Sequence, residues 1–268
     1  MLRVGRATAI GCIAIALVAG CVADWSERAS LPRQNTLVRG QLVFHGDFPL
    51  PANHRLLEEL TARRADLEEK LGLPFSDEPI EVYLFGSAEQ FREFMRQKHP
   101  DFPSRRAFFL ETDTRLLVYA QWGDRLAEDL RHEVTHGYLH SAIPNIPLWL
   151  DEGLAEYAEA PRGQRGVNRD HLRYLGEQIH LGVWQPDLEK LERLAASADL
   201  TQAQYAEAWA WVHYLLQTRP ERAEALRDYL AALRQKGAAE PLSARLARLD
   251  PDPSRSLVDH VARLYNSE

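Results

Sequence analysis

The sequence predicts an α+β chain, with strands and helices interleaved over its first 160 residues and helices alone after that. Three observations point there. Runs rich in β-branched and aromatic residues fall at 36–44, 79–85, 105–111 and 115–121, all in the first half of the chain. Apolar residues at helical spacing lie between these runs and then continue from about residue 169 to the end. Pro144, Pro147 and a Gly- and Arg-bearing stretch at 161–168 mark the passage from one regime to the other. Strands mixed with helices, followed by helices only, describe a helix-covered sheet joined to an all-helical lobe.

Residues 1–20 are set aside as a targeting segment. Arg3 and Arg6 form a positive start, and 7–20 is an apolar run too short to span a bilayer comfortably. The run ends Leu17-Val18-Ala19-Gly20-Cys21, which resembles a bacterial lipobox and implies a lipidated Cys21 at the head of the mature chain. Val22, where an Asp would favour inner-membrane retention, leans the destination toward the outer membrane. Cys12 leaves with the segment, so no disulfide is expected. Removal of Arg3 and Arg6 takes 32 bases to 30 against 39 acids, a formal charge of −9 over 248 residues. An acidic chain without basic, aromatic-laced clusters offers nothing to nucleic acid. Its length suffices for one large domain or two closely packed lobes.

The polar stretch 21–35, with Pro32, is predicted to be a tether. A strand is expected over 36–44, turned by His45-Gly46-Asp47, and a helix over 54–71 on Leu56, Leu57, Leu60, Leu67 and Leu71, ended by Gly72. A second strand over 79–85 leads to Ser87, the cap of a helix bearing Phe91, Phe94 and Met95. Strands at 105–111 and 115–121 then form a hairpin through Thr112-Asp113-Thr114. Phe108 and Phe109 are read as core in preference to a side-chain pocket. Helices are expected at 126–143 (capped by Asp124), from Trp149, and at about 169–179, 187–196, 201–218, 220–236, 243–249 and 254–265.

The chemistry centres on Arg131-His132-Glu133-Val134-Thr135-His136. Leu126, Leu130, Val134 and Tyr138 supply the buried stripe of this helix. His132 and His136, one turn apart, share a face, so both imidazoles can reach one Zn2+ at roughly 2.0 to 2.1 Å. Glu133 points about 100° further round, where it can touch a metal-bound water and take its proton. After the prolines comes Trp149-Leu150-Asp151-Glu152-Gly153-Leu154-Ala155-Glu156-Tyr157, a helix start that can present Glu152 as third ligand and leave a fourth position open. His140 lies a further turn along, too far to share the metal easily. Glu156 is a candidate to hold the N–H of a zinc-bound histidine, with a solvated charge as the alternative.

His132-Glu133-x-x-His136 followed by Trp149-Leu150-x-Glu152-Gly153-x-Ala155-x-Tyr157 resembles the gluzincin zinc metallopeptidases, in particular the peptidase MA-like group and, more distantly, enzymes of the aminopeptidase N type. The resemblance implies a zincin-like fold: a catalytic lobe over 36–160 and a helical lobe over 161–268. It implies Glu152 as third zinc ligand, and a sheet-edge strand, here 107–111 or 116–120, that binds extended peptide by strand addition. The stretch from Tyr205 to Tyr214 resembles the helix that supplies a tyrosine to the oxyanion, which falls on Tyr205, with His213 as the alternative donor. The chain departs from the aminopeptidases in a shorter gap before Glu152 and in lacking a G-x-M-E-N stretch for a substrate's amino terminus. A membrane-tethered zinc peptidase facing periplasm or cell surface is therefore expected. Two readings stand beside it: a non-catalytic zincin-like envelope lipoprotein that binds a partner or peptide, and a metal-dependent amidohydrolase of cell-wall peptide. No phosphate loop or dinucleotide fingerprint suggests another cofactor.

Overall fold

The computed structural model describes residues 30–195 and 200–267. The targeting segment and Cys21 lie outside the described residues, as does most of the expected tether. The sheet has five strands in the order β1-β2-β3-β5-β4, with β1 Asn35–Arg39, β2 Leu42–Gly46, β3 Ile80–Phe85, β4 Ala107–Thr112 and β5 Arg115–Gln121. β2, β3 and β5 run parallel, and the two edge strands pair antiparallel to their neighbours. The fold is therefore mixed α and β, with a mixed sheet and many helices.

The single strand expected over 36–44 is a hairpin. Gly40, at φ 56°, takes the left-handed turn and pairs Arg39 with Leu42. Helix α1, Arg55–Leu71, then crosses to β3, capped by His54 and ended by Gly72 at φ 64°. Helix α2, Ala88–Lys98, starts at Ser87, whose hydroxyl accepts from the Gln90 amide.

The period-two rule sorts the interior strands onto two cores. Ile80, Val82, Leu84, Leu116, Val118 and Ala120 face the larger one, with α1 and α3 (Leu126–Ala142). Tyr83, Phe85, Leu117 and Tyr119 face a smaller aromatic one against Phe91, Phe94 and Met95 of α2. Helix α3 lies close on the sheet because residue 137 is glycine: a Cβ there would meet Ile80 Cγ2 at 2.9 Å. Its N-cap is Arg125 without a side-chain cap bond, so the expected cap at Asp124 is not made.

The larger core continues into the helical half through Trp149, Leu150 and Leu154 of α4 (Leu148–Glu159) and Trp209, Trp211 and Leu215 of α7 (Gln202–Gln217). Gly153 sets this crossing, since a Cβ there would lie 2.7 Å from the Ala208 carbonyl oxygen. α5 (Arg169–His180), α6 (Leu188–Glu192), α8 (Pro220–Lys236), α9 (Leu242–Leu249) and α10 (Pro253–Tyr265) complete this half. α6 is shorter than expected, and position 196 of its expected span lies outside the described residues. Among the described residues no helix is long and apolar enough to cross a membrane.

Candidate metal centre and cleft

With the apolar stripe of α3 turned to the sheet, its opposite side faces α4. This brings three donor atoms together: His132 Nε2 and His136 Nε2 are 3.0 Å apart, and Glu152 Oε2 lies 3.3 Å from the first and 3.6 Å from the second. A tetrahedral ion with bonds of about 2.0–2.1 Å has ligand-to-ligand edges of about 3.3 Å, so the triangle has the size of one face of such a site.

The donor chemistry fits as well. His132 Nδ1 is 2.9 Å from Glu159 Oε1, and His136 Nδ1 is 2.9 Å from Asp151 Oδ1. With each Nδ1 beside a carboxylate, the tautomers that carry their protons on Nδ1 would turn both Nε2 lone pairs toward Glu152. Glu152 Oε2 is buried and takes no hydrogen bond. Three buried acceptors facing one another require protons or a cation between them. Without a metal, protons fill this place. Burial lowers the basicity of His136, but the Asp151 and Glu152 carboxylates outweigh it and push the imidazole up to about 10. His132 is held well above its ordinary value against the same burial by Glu152 and Glu159. Burial would raise the Glu152 carboxyl, and the two imidazoles overcome it and lower it.

The described residues hold two further groups able to take a metal, His136 with His140 and Asp151, and His132 with Glu156 and Glu159. Their donor atoms are largely committed to one another. His140 bonds Glu111 Oε2 through Nδ1 at 2.6 Å and Asp151 Oδ2 through Nε2 at 3.1 Å, so Asp151 ties His140 to His136. Glu156 does not occupy the place foreseen for it. Its carboxylate bonds His171 Nε2 at 2.8 Å and Asn168 Nδ2 at 3.1 Å, and Glu159, nearly a turn further along α4, holds His132. Residues 152, 156 and 159 share one helix face, so spacing alone could not choose between the last two. Asp151, Glu159 and Asn168 are the functional candidates that sequence reasoning missed.

Glu133 borders a cleft of about 520 Å³ with His132, Tyr205, Arg105 and Arg106. Burial raises its carboxyl pKa, against the pull of His132, His136 and the nearby Phe109 amide. That amide belongs to β4, and the Phe109 ring stacks on His136 with centroids 5.8 Å apart. Phe108 is core on the other face. Tyr205 stands across the cleft on α7, its hydroxyl accepting from Arg105 Nη2 at 3.4 Å. Burial and Glu152 raise its phenol pKa, which keeps it a proton donor. His213, the alternative donor, is elsewhere: it is 3% exposed in the helical core, with Nδ1 2.9 Å from His260 Nε2.

A family model described as a protein of unknown function, DUF1570, matches residues 127–240. No curated protein shows a match. Among solved structures, an M1 zinc metallopeptidase from Deinococcus radiodurans is similar at 17% identity and a TM-score of 0.46, with 84% of this chain and 47% of that chain covered. The chain thus spans about half the length of that structure.

Proposed function

We propose that this protein is a zinc-dependent peptidase of the gluzincin type, with a zincin-like layout of a catalytic lobe over 36–160 and a helical lobe over 161–268. His132, His136 and Glu152 hold the metal in this reading. The observation that carries it is the triangle of His132 Nε2, His136 Nε2 and Glu152 Oε2, set beside the half-buried Glu133 carboxylate at the wall of a cleft. Bound there, zinc supplies Lewis acidity, which polarises a carbonyl and makes water a usable nucleophile near neutral pH. Glu133, its carboxyl pKa raised by burial, takes the proton of the attacking water and returns it to the leaving amine. Tyr205 donates its hydroxyl proton to the oxygen on which charge develops. The unpaired edge of β4 receives the peptide backbone as an added strand. In the same reading Cys21 carries the lipid anchor, 21–35 is the tether, and the enzyme faces periplasm or cell surface, with the outer membrane favoured by Val22.

The test is a Glu133→Gln protein offered a broad peptide library. It should retain one zinc per chain and lose at least about 100-fold in turnover. Cleavage at the parent's rate would remove Glu133 from the mechanism. A zinc-loaded parent that cuts no peptide would leave the binding-lipoprotein reading in its place.

A further inference from the structure

The cleft beside Glu133 carries charges of both signs, and they are unevenly matched. Asp129 is clasped by Arg106 at 2.6 and 2.9 Å, Glu128 pairs with Arg125, Glu159 with His132, and Glu156 with His171. Arg105 is left over. It is exposed, has no ion-pair partner among the described residues, and makes one side-chain hydrogen bond, to the Tyr205 hydroxyl at 3.4 Å. The carboxylates whose fields reach it, Glu152 and Glu133, belong to the metal triangle and the general base. Arg92 of α2 lines the same cleft and adds to its positive end.

Position gives this charge a use. Arg105 lies two residues ahead of β4 and four ahead of Phe109, the strand residue whose ring stacks on His136. Arg105 Nη2 lies 3.4 Å from the Tyr205 hydroxyl, and one further hydrogen bond from that hydroxyl to the reacting carbonyl oxygen sets the guanidinium about 6 Å from it, about two residues of extended peptide. A guanidinium is also the group that binds a carboxylate in a planar, two-bond fit.

We propose that the Arg105 guanidinium is an anion-recognising subsite, and that the cleft takes peptides bearing a carboxylate about two residues from the bond to be cut. The carboxylate is either an Asp or Glu side chain or the peptide's free C terminus. This rests on the peptidase reading and deepens it.

The test separates the two. Zinc-loaded Glu133→Gln protein is titrated by fluorescence anisotropy with octapeptide pools carrying a neutral fluorophore. Each pool has either Glu or Gln at one position and is otherwise uncharged, and each is made with a free or an amidated C terminus. One carboxylate-bearing set should bind about fivefold tighter than its neutral match, and the set showing the gap identifies the source of the carboxylate. The gap should shrink with added salt, vanish in Glu133→Gln/Arg105→Gln, and survive in part with Arg105→Lys. The inference is overturned by a gap below twofold, by a gap that persists without Arg105, or by Arg105→Gln weakening every pool alike. Binding of no pool by this protein, together with no cleavage by the parent, would sink both readings. Cleavage of acidic and neutral pools at equal kcat/KM by the parent would sink this one alone.

Discussion

Two pairs of histidines meet in this molecule at nearly the same distance, and they behave in opposite ways. His132 and His136 have ring nitrogens 3.0 Å apart, and His213 and His260 have theirs 2.9 Å apart. Carboxylates surround the first pair, and both imidazoles are raised, His136 to about 10. The second pair sits among Trp209, Tyr157 and Tyr214. Burial lowers both of its members, aided for His213 by His260 and Arg165 and for His260 by Arg263 and Arg222, to about 3 and about 4. Contact between two imidazoles therefore does not make a metal centre. In the helical core one ring donates, the other accepts, and the pair is complete while neutral. On α3 the outer nitrogens face Asp151 and Glu159, and the inner ones lie beside a third acceptor, Glu152.

The largest effects that would test this contrast come from removing a ligand. With the proposed zinc as the test, His136→Ala or Glu152→Ala should abolish an uptake of one zinc per chain in elemental analysis, whereas His260→Gln should leave it intact. Zinc lost equally from all three would erase the distinction between the pairs. Next in size are the carboxylates behind the ligands. Asp151→Asn and Glu159→Gln should each weaken zinc by about 10- to 100-fold in a competition titration, and Glu156→Gln by less. A greater loss from Glu156→Gln than from Glu159→Gln would return the supporting role to the residue first expected to have it.

Acid separates the pairs by a smaller margin. The folded values of His213 and His260 lie below the unfolded 6.5, so their contribution to stability is complete above pH 6.5 and is lost as pH falls through the folded values. At pH 5 this amounts to about 2 kcal/mol for each proton taken up, about 4 kcal/mol for the two imidazoles. Urea melts at pH 7.5 and 5 should show that fall in the parent and a reduced one in His260→Leu. An unchanged pH slope in the variant would contradict the neutral-pair assignment. The smallest effect is expected of Tyr157→Phe. Its hydroxyl accepts from Gln217 at 2.6 Å, and its ring lies near His213 on the helix that carries Glu152. Loss of that bond should cost about 1 kcal/mol in melts with no change in zinc affinity.

Periodicity makes most of the helices legible in this sequence, because an apolar stripe every three or four residues and a local cap such as Ser87 or Gly72 need no distant partner to be recognised. The same holds for His132, Glu133 and His136, whose shared helix makes their geometry a matter of spacing, and for Glu152 at the start of the next apolar helix. Other features are set by groups far apart in the chain. The hairpin at Gly40 was hidden because a short turn leaves an apolar run looking continuous. Glu159 and Glu156 share a helix face, and only the docking of α4 against α3, with Asn168 and His171 beside it, decides which one reaches His132. Asp151 is indistinguishable in sequence from a helix-start charge until His136 and His140 are both brought to it. Arg105 and Arg106 are adjacent in sequence, yet one is paired by Asp129 and the other left for the cleft by the packing of a strand on a helix. The sequence by itself determines what recurs within a few residues. Tertiary structure decides which charge meets which, since that depends on contacts between segments tens of residues apart.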